Sequence, residues 1–157
     1  MLEGLNAYQA TGAEALLPLW MSVLADLYGK LGQVENGLAV LADAQILANK
    51  NNGERFFIAE MHRLKGTLLM QGTKDMTLKV ANYDEVETEF LQAIKLAQQQ
   101  EAKSLELRAS MSLSRLWQRQ SKKAEAFRIL SKIYNWFEEG FGTPDLKAAK
   151  LLLEELS

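Results

Sequence analysis

Cysteine is absent from the 157 residues. That excludes disulfides and thiolate metal sites. It fits a reducing compartment, and a cytoplasmic location is expected. Proline is scarce, with only Pro18 and Pro144 present. Strand-like runs of Val, Ile and Thr are missing as well, and the two shortages together favour helices. No apolar run approaches the ~20 residues of a membrane span, so no membrane partner is expected. The leading residues MLEGLNAYQATG have neither a basic segment nor a long apolar one, so they do not read as a secretory signal. A large excess of one charge is also lacking. A net charge of −2 argues against a chain dominated by nucleic-acid or membrane electrostatics. The single histidine, His62, leaves little material for metal or acid–base chemistry.

What is present is an ordinary apolar fraction of 48% arranged with helical period. Length alone predicts one domain. Leu2, Leu5 and Tyr8 share a weak stripe before Thr11-Gly12. Residues 1–12 are therefore expected to be a leader or the remnant of a preceding helix, and 13–157 a single helical-repeat domain. The first clear helix spans about 14–30, with Leu16, Leu17, Trp20, Leu24, Leu27, Tyr28 and Leu31 recurring at threes and fours, which is the helical signature. Pro18 falls in its first turn, where a missing N–H costs little. A second helix is expected at 34–49, ending in the turn-rich Asn49–Gly53. A third spans about 54–71 and a fourth about 83–100, separated by a polar loop at 72–82. Asn82 or Asp84 is a candidate cap for the fourth. Ser104 is read as the N-cap of a fifth helix, 105–119, and Ser121 as the start of a sixth, 122–138. Thr143-Pro144-Asp145 supplies N-cap, N1 proline and first-turn acid for the last, 144–156.

These helices fall into three hairpins with one register. Leu24, Ala25 and Tyr28 precede Gly37, Leu41 and Ala44, twelve residues separating Ala25 from Gly37. Leu113, Ser114 and Trp117 precede Ala126, Leu130 and Ile133 with the same twelve. Gly66 precedes Val86, Phe90 and Ala93 by twenty, which puts the extra residues in the 72–82 loop. Small residues let backbones approach, and large ones fill the gap between hairpins. The pattern resembles the tetratricopeptide repeat (TPR) over most of 18–133. It departs in a repeat length of about 41 rather than about 34 residues, in Lys65 at a large-residue position, and in Ile133 at a small one. The resemblance implies a right-handed superhelix of about three hairpins plus a C-terminal closing helix, all-α. Three segments resemble more narrowly the C-terminal repeat region of large bacterial signalling proteins that carry a cyclase or DNA-binding domain and a predicted ATPase. They are GERFFIAEMHRLKGTLLMQ, LQAIKLAQQQEAKSLELRASMSLSRLWQRQ and IYNWFEEGFGTPDLKAAKLLLEELS. That likeness implies a sensing or interaction tail. No phosphate loop of the G-x-x-x-x-G-K-[ST] kind is present.

Catalytic chemistry finds no footing. His62 has Ile58 and Gly66 at i±4, so no helical His–carboxylate metal pair forms there. Ser104, Ser110, Ser112 and Ser114 lack a matching base. The neighbours Glu138-Glu139 and Glu154-Glu155 point apart on a helix. No enzyme activity, cofactor or metal is expected. Trp20 and Trp117 fall on apolar stripes and are assigned to the core. Trp136 lies off its stripe and, with Phe141, is expected to pack against the last helix.

The most informative polar feature is a basic stretch at 103–132. Lys103, Arg108, Arg115, Arg119, Lys122, Lys123, Arg128 and Lys132 face only Glu101, Glu106 and Glu125. Arg108, Met111, Arg115 and Arg119 share one helix face. The matched positions are Glu60, Arg63, Thr67 and Gln71 in the second hairpin and Leu19, Ser22, Asp26 and Lys30 in the first. In a TPR-like stack such faces line a concave groove. The expectation is a non-catalytic interaction or regulatory module whose groove, with Arg63, Thr67, Gln71, Arg108, Met111, Arg115 and Arg119, takes a protein or acidic peptide by bidentate arginine pairs. A solvated face tied up by salt bridges is the plain alternative. Nucleic-acid binding by 103–132 is a less favoured reading, and small-molecule sensing inside the superhelix is another. The first hairpin lacks a covering helix, so homo-oligomerisation through residues 1–31, with Leu16, Leu17 and Trp20, is also expected.

Overall fold

A computed structural model of the chain describes Gly4 and residues 16–50, 57–72 and 83–157, with Lys50 described by its backbone alone. Seven helices follow one another among these residues, without a strand. They are α1 (Leu17–Lys30), α2 (Val34–Lys50), α3 (Ile58–Gly72), α4 (Tyr83–Gln99), α5 (Lys103–Arg119), α6 (Lys123–Tyr134) and α7 (Pro144–Leu156). The all-helical class read from the sequence holds, and no described helix is long and apolar enough to cross a membrane.

Each helix packs on its sequence neighbours, and the odd-numbered helices also pack on one another: α1 on α3, α3 on α5, α5 on α7. The even-numbered helices make no comparable mutual contact. The chain is thus two layers, with an odd layer that is continuous from end to end. The core is correspondingly serial. Ala25, Leu41, Ala44, Met61 and Leu68 join α1, α2 and α3. Val86, Phe90, Ala93, Leu113 and Leu116 belong to a second cluster joining α3, α4 and α5. Leu107, Leu130, Ile133, Leu146 and Leu152 are in a third, joining α5, α6 and α7. Burying each of the larger side chains among these contributes about 1.5–3 kcal/mol.

The small-and-large register has a visible job. A Cβ on Gly66 would lie 2.6 Å from Cε1 of Phe90. Only glycine lets α3 and α4 close on that ring, which is fully buried. In the third hairpin the same position is Ser114, whose hydroxyl donates to the carbonyl of Ala126 across the helix pair at 3.0 Å. That hydrogen bond spans the twelve-residue spacing of the register.

Three connections are built alike. After α1, Gln33 N donates to Tyr28 O and Gly32 N to Gly29 O, the double bond of a Schellman stop. After α4, Ala102 N donates to Ala97 O and Glu101 N to Gln98 O. After α5, Lys122 N donates to Trp117 O and Ser121 N to Gln118 O. The left-handed residue is Gly32 (φ 74°) in the first, but Glu101 (54°) and Ser121 (61°) in the others. Glycine takes this conformation freely, whereas an L side chain costs about 1–2 kcal/mol.

Several expected boundaries shift. α5 starts at Lys103, with Ala102 and not Ser104 in the cap position and no side-chain cap. α6 ends at Tyr134, because Trp136 N and Phe137 N turn back to Ile133 and Tyr134 in a tighter winding. The leader at 1–12, the 72–82 loop beyond Gly72, the Asn82 cap, the Asn51–Gly53 stop and the start of the third helix at 54–56 lie outside the described residues.

Candidate interaction face on the odd-numbered helices

The odd layer brings the register-matched polar positions together as one strip. On α3, Glu60 and Arg63 are three residues apart and form a bidentate pair. Arg63 Nε donates to Glu60 Oε2 at 2.9 Å and Nη2 to Oε1 at 2.8 Å. Arg108 reaches over from α5, with Nη1 3.1 Å from the same Glu60 Oε1, and its Nε lies 3.8 Å from Asp145 Oδ2 on α7. One arginine therefore ties three odd helices. On α1, Lys30 and Asp26 pair at 2.6 Å. Burial works against the Arg63 guanidinium, but the hydrogen bonds and charge of Glu60, with Asp26 and Asp145 beyond, hold its pKa above the ordinary value.

The positions named from the sequence divide three ways. Arg63 and Arg108 lie on the strip but are already paired. Thr67 is half-buried, its hydroxyl donating to Arg63 O at 2.9 Å. Gln71 is half-buried too, with Oε1 lacking a hydrogen-bond partner among the described residues. Arg115 and Arg119 are exposed and have no ion pair among the described residues. Crowding by the fold lowers the pKa of the Arg115 guanidinium, Glu155 opposes that, and the charge of Arg63 adds to it. Met111 does not belong to the strip: it is 5% exposed, inside the C-terminal cluster. The i, i+3 step from Arg108 carried it round to the face that α6 and α7 cover.

The rest of the basic stretch is partly neutralised. Lys103 pairs with Glu106 at 2.8 Å, Lys122 with Glu87 at 3.6 Å, and Lys123 donates to the Glu155 carbonyl at 3.3 Å. Trp136 is not packed under α7. It is 57% exposed, edge-on to Phe137 at 5.2 Å, with Lys103 Nζ 5.6 Å from its ring. An open hollow of about 950 Å³ runs along Asn135–Glu139 beside it. Trp117 is partly buried between the second and third clusters. Trp20 is a correction, 45% exposed on α1. Leu16 is exposed to the same degree, whereas Leu17 is buried. Leu17 therefore cannot serve a self-association surface.

One polar cluster escaped the sequence reading. His62 Nδ1 lies 2.7 Å from Glu89 Oε2, and Lys65 Nζ donates to Glu89 Oε1 at 2.6 Å. The lysine in a large-residue slot and the lone histidine both serve the α3–α4 seam. Burial works to raise the Glu89 carboxyl, but the hydrogen bonds and charges of His62 and Lys65 hold it below the usual 4.5. A depressed folded value means stability that is present above the unfolded value and lost as pH falls through the folded one. Glu89→Gln is therefore expected to lower stability by about 1–3 kcal/mol at pH 7. The gap to the parent chain closes as pH drops below the carboxylate range, measurable by urea unfolding across that range.

No family model matches the chain. A comparison with curated proteins finds similarity to Uncharacterized protein R02095 of Rhizobium meliloti (strain 1021), 28% identical over 113 residues. The match takes in 72% of this chain and 10% of that protein, so the chain spans about a tenth of the length of the relative it matches.

Proposed function

We propose that the chain is a non-catalytic interaction or regulatory module, a TPR-like superhelix of three hairpins closed by α7. It takes an acidic peptide or protein segment along the odd-helix face. The carrying observation is that α1, α3, α5 and α7 touch in series, so their matched polar residues form one strip. On that strip Arg115 and Arg119 have no carboxylate partner among the described residues. The paired Arg63, Glu60, Arg108 and Asp145 supply a rigid floor, and the free arginines supply the attraction. A guanidinium with no carboxylate in ion-pair contact gains from an incoming one by charge-assisted hydrogen bonds. The greater length of the bacterial relative supports a place in a longer polypeptide, and we take that polypeptide to be a larger signalling ATPase or cyclase.

The test is fluorescence anisotropy with a labelled acidic peptide ending in a free carboxylate. Arg115→Glu is expected to weaken binding by about tenfold or more, a loss of ~1.4 kcal/mol or above, with the fold intact by circular dichroism. Equal binding by the two proteins would remove Arg115 from the site. Preference for single-stranded DNA over the peptide, falling steeply with salt, would favour the nucleic-acid reading.

A further inference from the structure

The exposed apolar residues of α1 form a single stripe. Leu16, Trp20, Val23, Leu27 and Leu31 are each at least 39% exposed, and Leu31 reaches 71%. Their steps of four, three, four and four keep them on one helix face. Moved forward by one repeat, Ala25 to Gly66, the stripe becomes Phe57, Met61, Leu64, Leu68 and Gly72 of α3. Met61, Leu64 and Leu68 are buried against α1 and α2. Moved forward again, Gly66 to Ser114, it becomes Leu105, Ala109, Ser112, Leu116 and Gln120. Ala109 and Leu116 are buried against α3 and α4. This stripe is thus the face by which an odd helix docks on the hairpin before it. On α1 it is uncovered among the described residues.

We infer that the α1 stripe receives a further helical hairpin of the same register, stacked as α1 and α2 stack on α3 and carried N-terminal to it on a longer polypeptide. Four observations select this occupant. The equivalent face of α3 meets two helices, α1 and α2, and not one. A second copy pairing α1 with α1 would overlap along a 14-residue helix, about 21 Å. With a helix about 10 Å across, that face covers roughly 200 Å² per copy, short of the 1,200–2,000 Å² or so in total that a stable dimer buries. A copy stacked head to tail would present α7, whose outward residues Lys147, Lys150 and Glu154 are charged and exposed around Leu151, the surface of a terminal helix. The relative, finally, holds its matching stretch inside a chain about ten times as long as the match.

The experiment adds one hairpin to the full chain. Residues 16–56 are duplicated directly ahead of Leu16, which reproduces the native spacing from hairpin to odd helix. Trp117→Phe and Trp136→Phe are introduced in the parent and the extended chain alike, with Trp20→Phe in the added copy, so that the original Trp20 is the one tryptophan left and reports. The expected result is a blue-shifted emission, a clear drop in acrylamide quenching of Trp20 and a Tm raised by several degrees. Leu27→Glu in the original α1 reverses all three. Trp20 as quenchable as in the parent, with the added hairpin unprotected in hydrogen exchange, would overturn the inference. So would a concentration-dependent dimer of the parent chain that Leu27→Glu abolishes, since it would make a second copy the occupant. The inference stands apart from the groove reading: Leu27→Glu leaves peptide binding at Arg115 unchanged, and Arg115→Glu leaves Trp20 protection unchanged.

Discussion

Phe90→Ala lowers the stability of the chain by about 3–5 kcal/mol, the usual loss for a fully buried aromatic. The ring has no exposed surface and belongs to the middle cluster, where α3, α4 and α5 meet. The cavity left behind cannot collapse easily, because α3 and α4 are already in close approach at Gly66. The reciprocal change makes the same point. Gly66→Ala places a methyl 2.6 Å from the ring carbon and is expected to destabilise by about 1–3 kcal/mol through overpacking, although alanine is the better helix former. Combined with Phe90→Leu, Gly66→Ala becomes much less damaging. Urea unfolding of the two single variants and the double variant gives the coupling. Strict additivity would show that ring and glycine do not share a contact.

Glu60→Ala is the second large effect, and it separates stability from binding. Glu60 is the carboxylate that both Arg63 and Arg108 use. The Arg63 and Glu60 side chains are mostly shielded from solvent. Removing the acid leaves two guanidinium groups facing each other across α3 and α5. Breaking a buried pair costs about 3–5 kcal/mol. The expectation here is about 2–4 kcal/mol, since Arg108 keeps contact with water and with Asp145. The folded protein, however, now presents Arg63 without its carboxylate and Arg108 held only by Asp145 at 3.8 Å. Its affinity for an acidic peptide is expected to rise by about tenfold, worth ~1.4 kcal/mol, and to become more sensitive to salt. Unfolding by urea and peptide anisotropy at low and moderate salt check both halves. A loss of affinity with full stability would mean that Glu60 contacts the partner directly.

The helices were legible because apolar residues recur with helical period, and the register because small residues recur where backbones approach. Ala25, Gly66 and Ser114 are all buried at matched places. The period does not reveal whether a neighbour exists. Trp20 sits on a good stripe yet is 45% exposed, because no described helix packs on that stripe. Met111 failed for the opposite reason, since four helices crowd α5 and leave it a narrow polar face. Ion pairs across the layers were hardest to see. Glu89 meets His62 from 27 residues away, across a segment with no pattern. A signal for the Glu60–Arg108 pair did exist. The two occupy the same register position one repeat apart with opposite charge, and stacking brings such positions side by side. The same reasoning reduces the basic stretch from eight cations to a few free ones.

The claim at the centre of this account is that the odd-helix layer is the binding face. Amide chemical-shift mapping with the acidic peptide tests it directly. Perturbations are expected to concentrate on α3 and α5, at Thr67, Gln71, Arg115 and Arg119, with α2, α4 and α6 undisturbed. Perturbations confined to the even helices, to the Trp136 hollow, or to the outer stripe of α1 would contradict it.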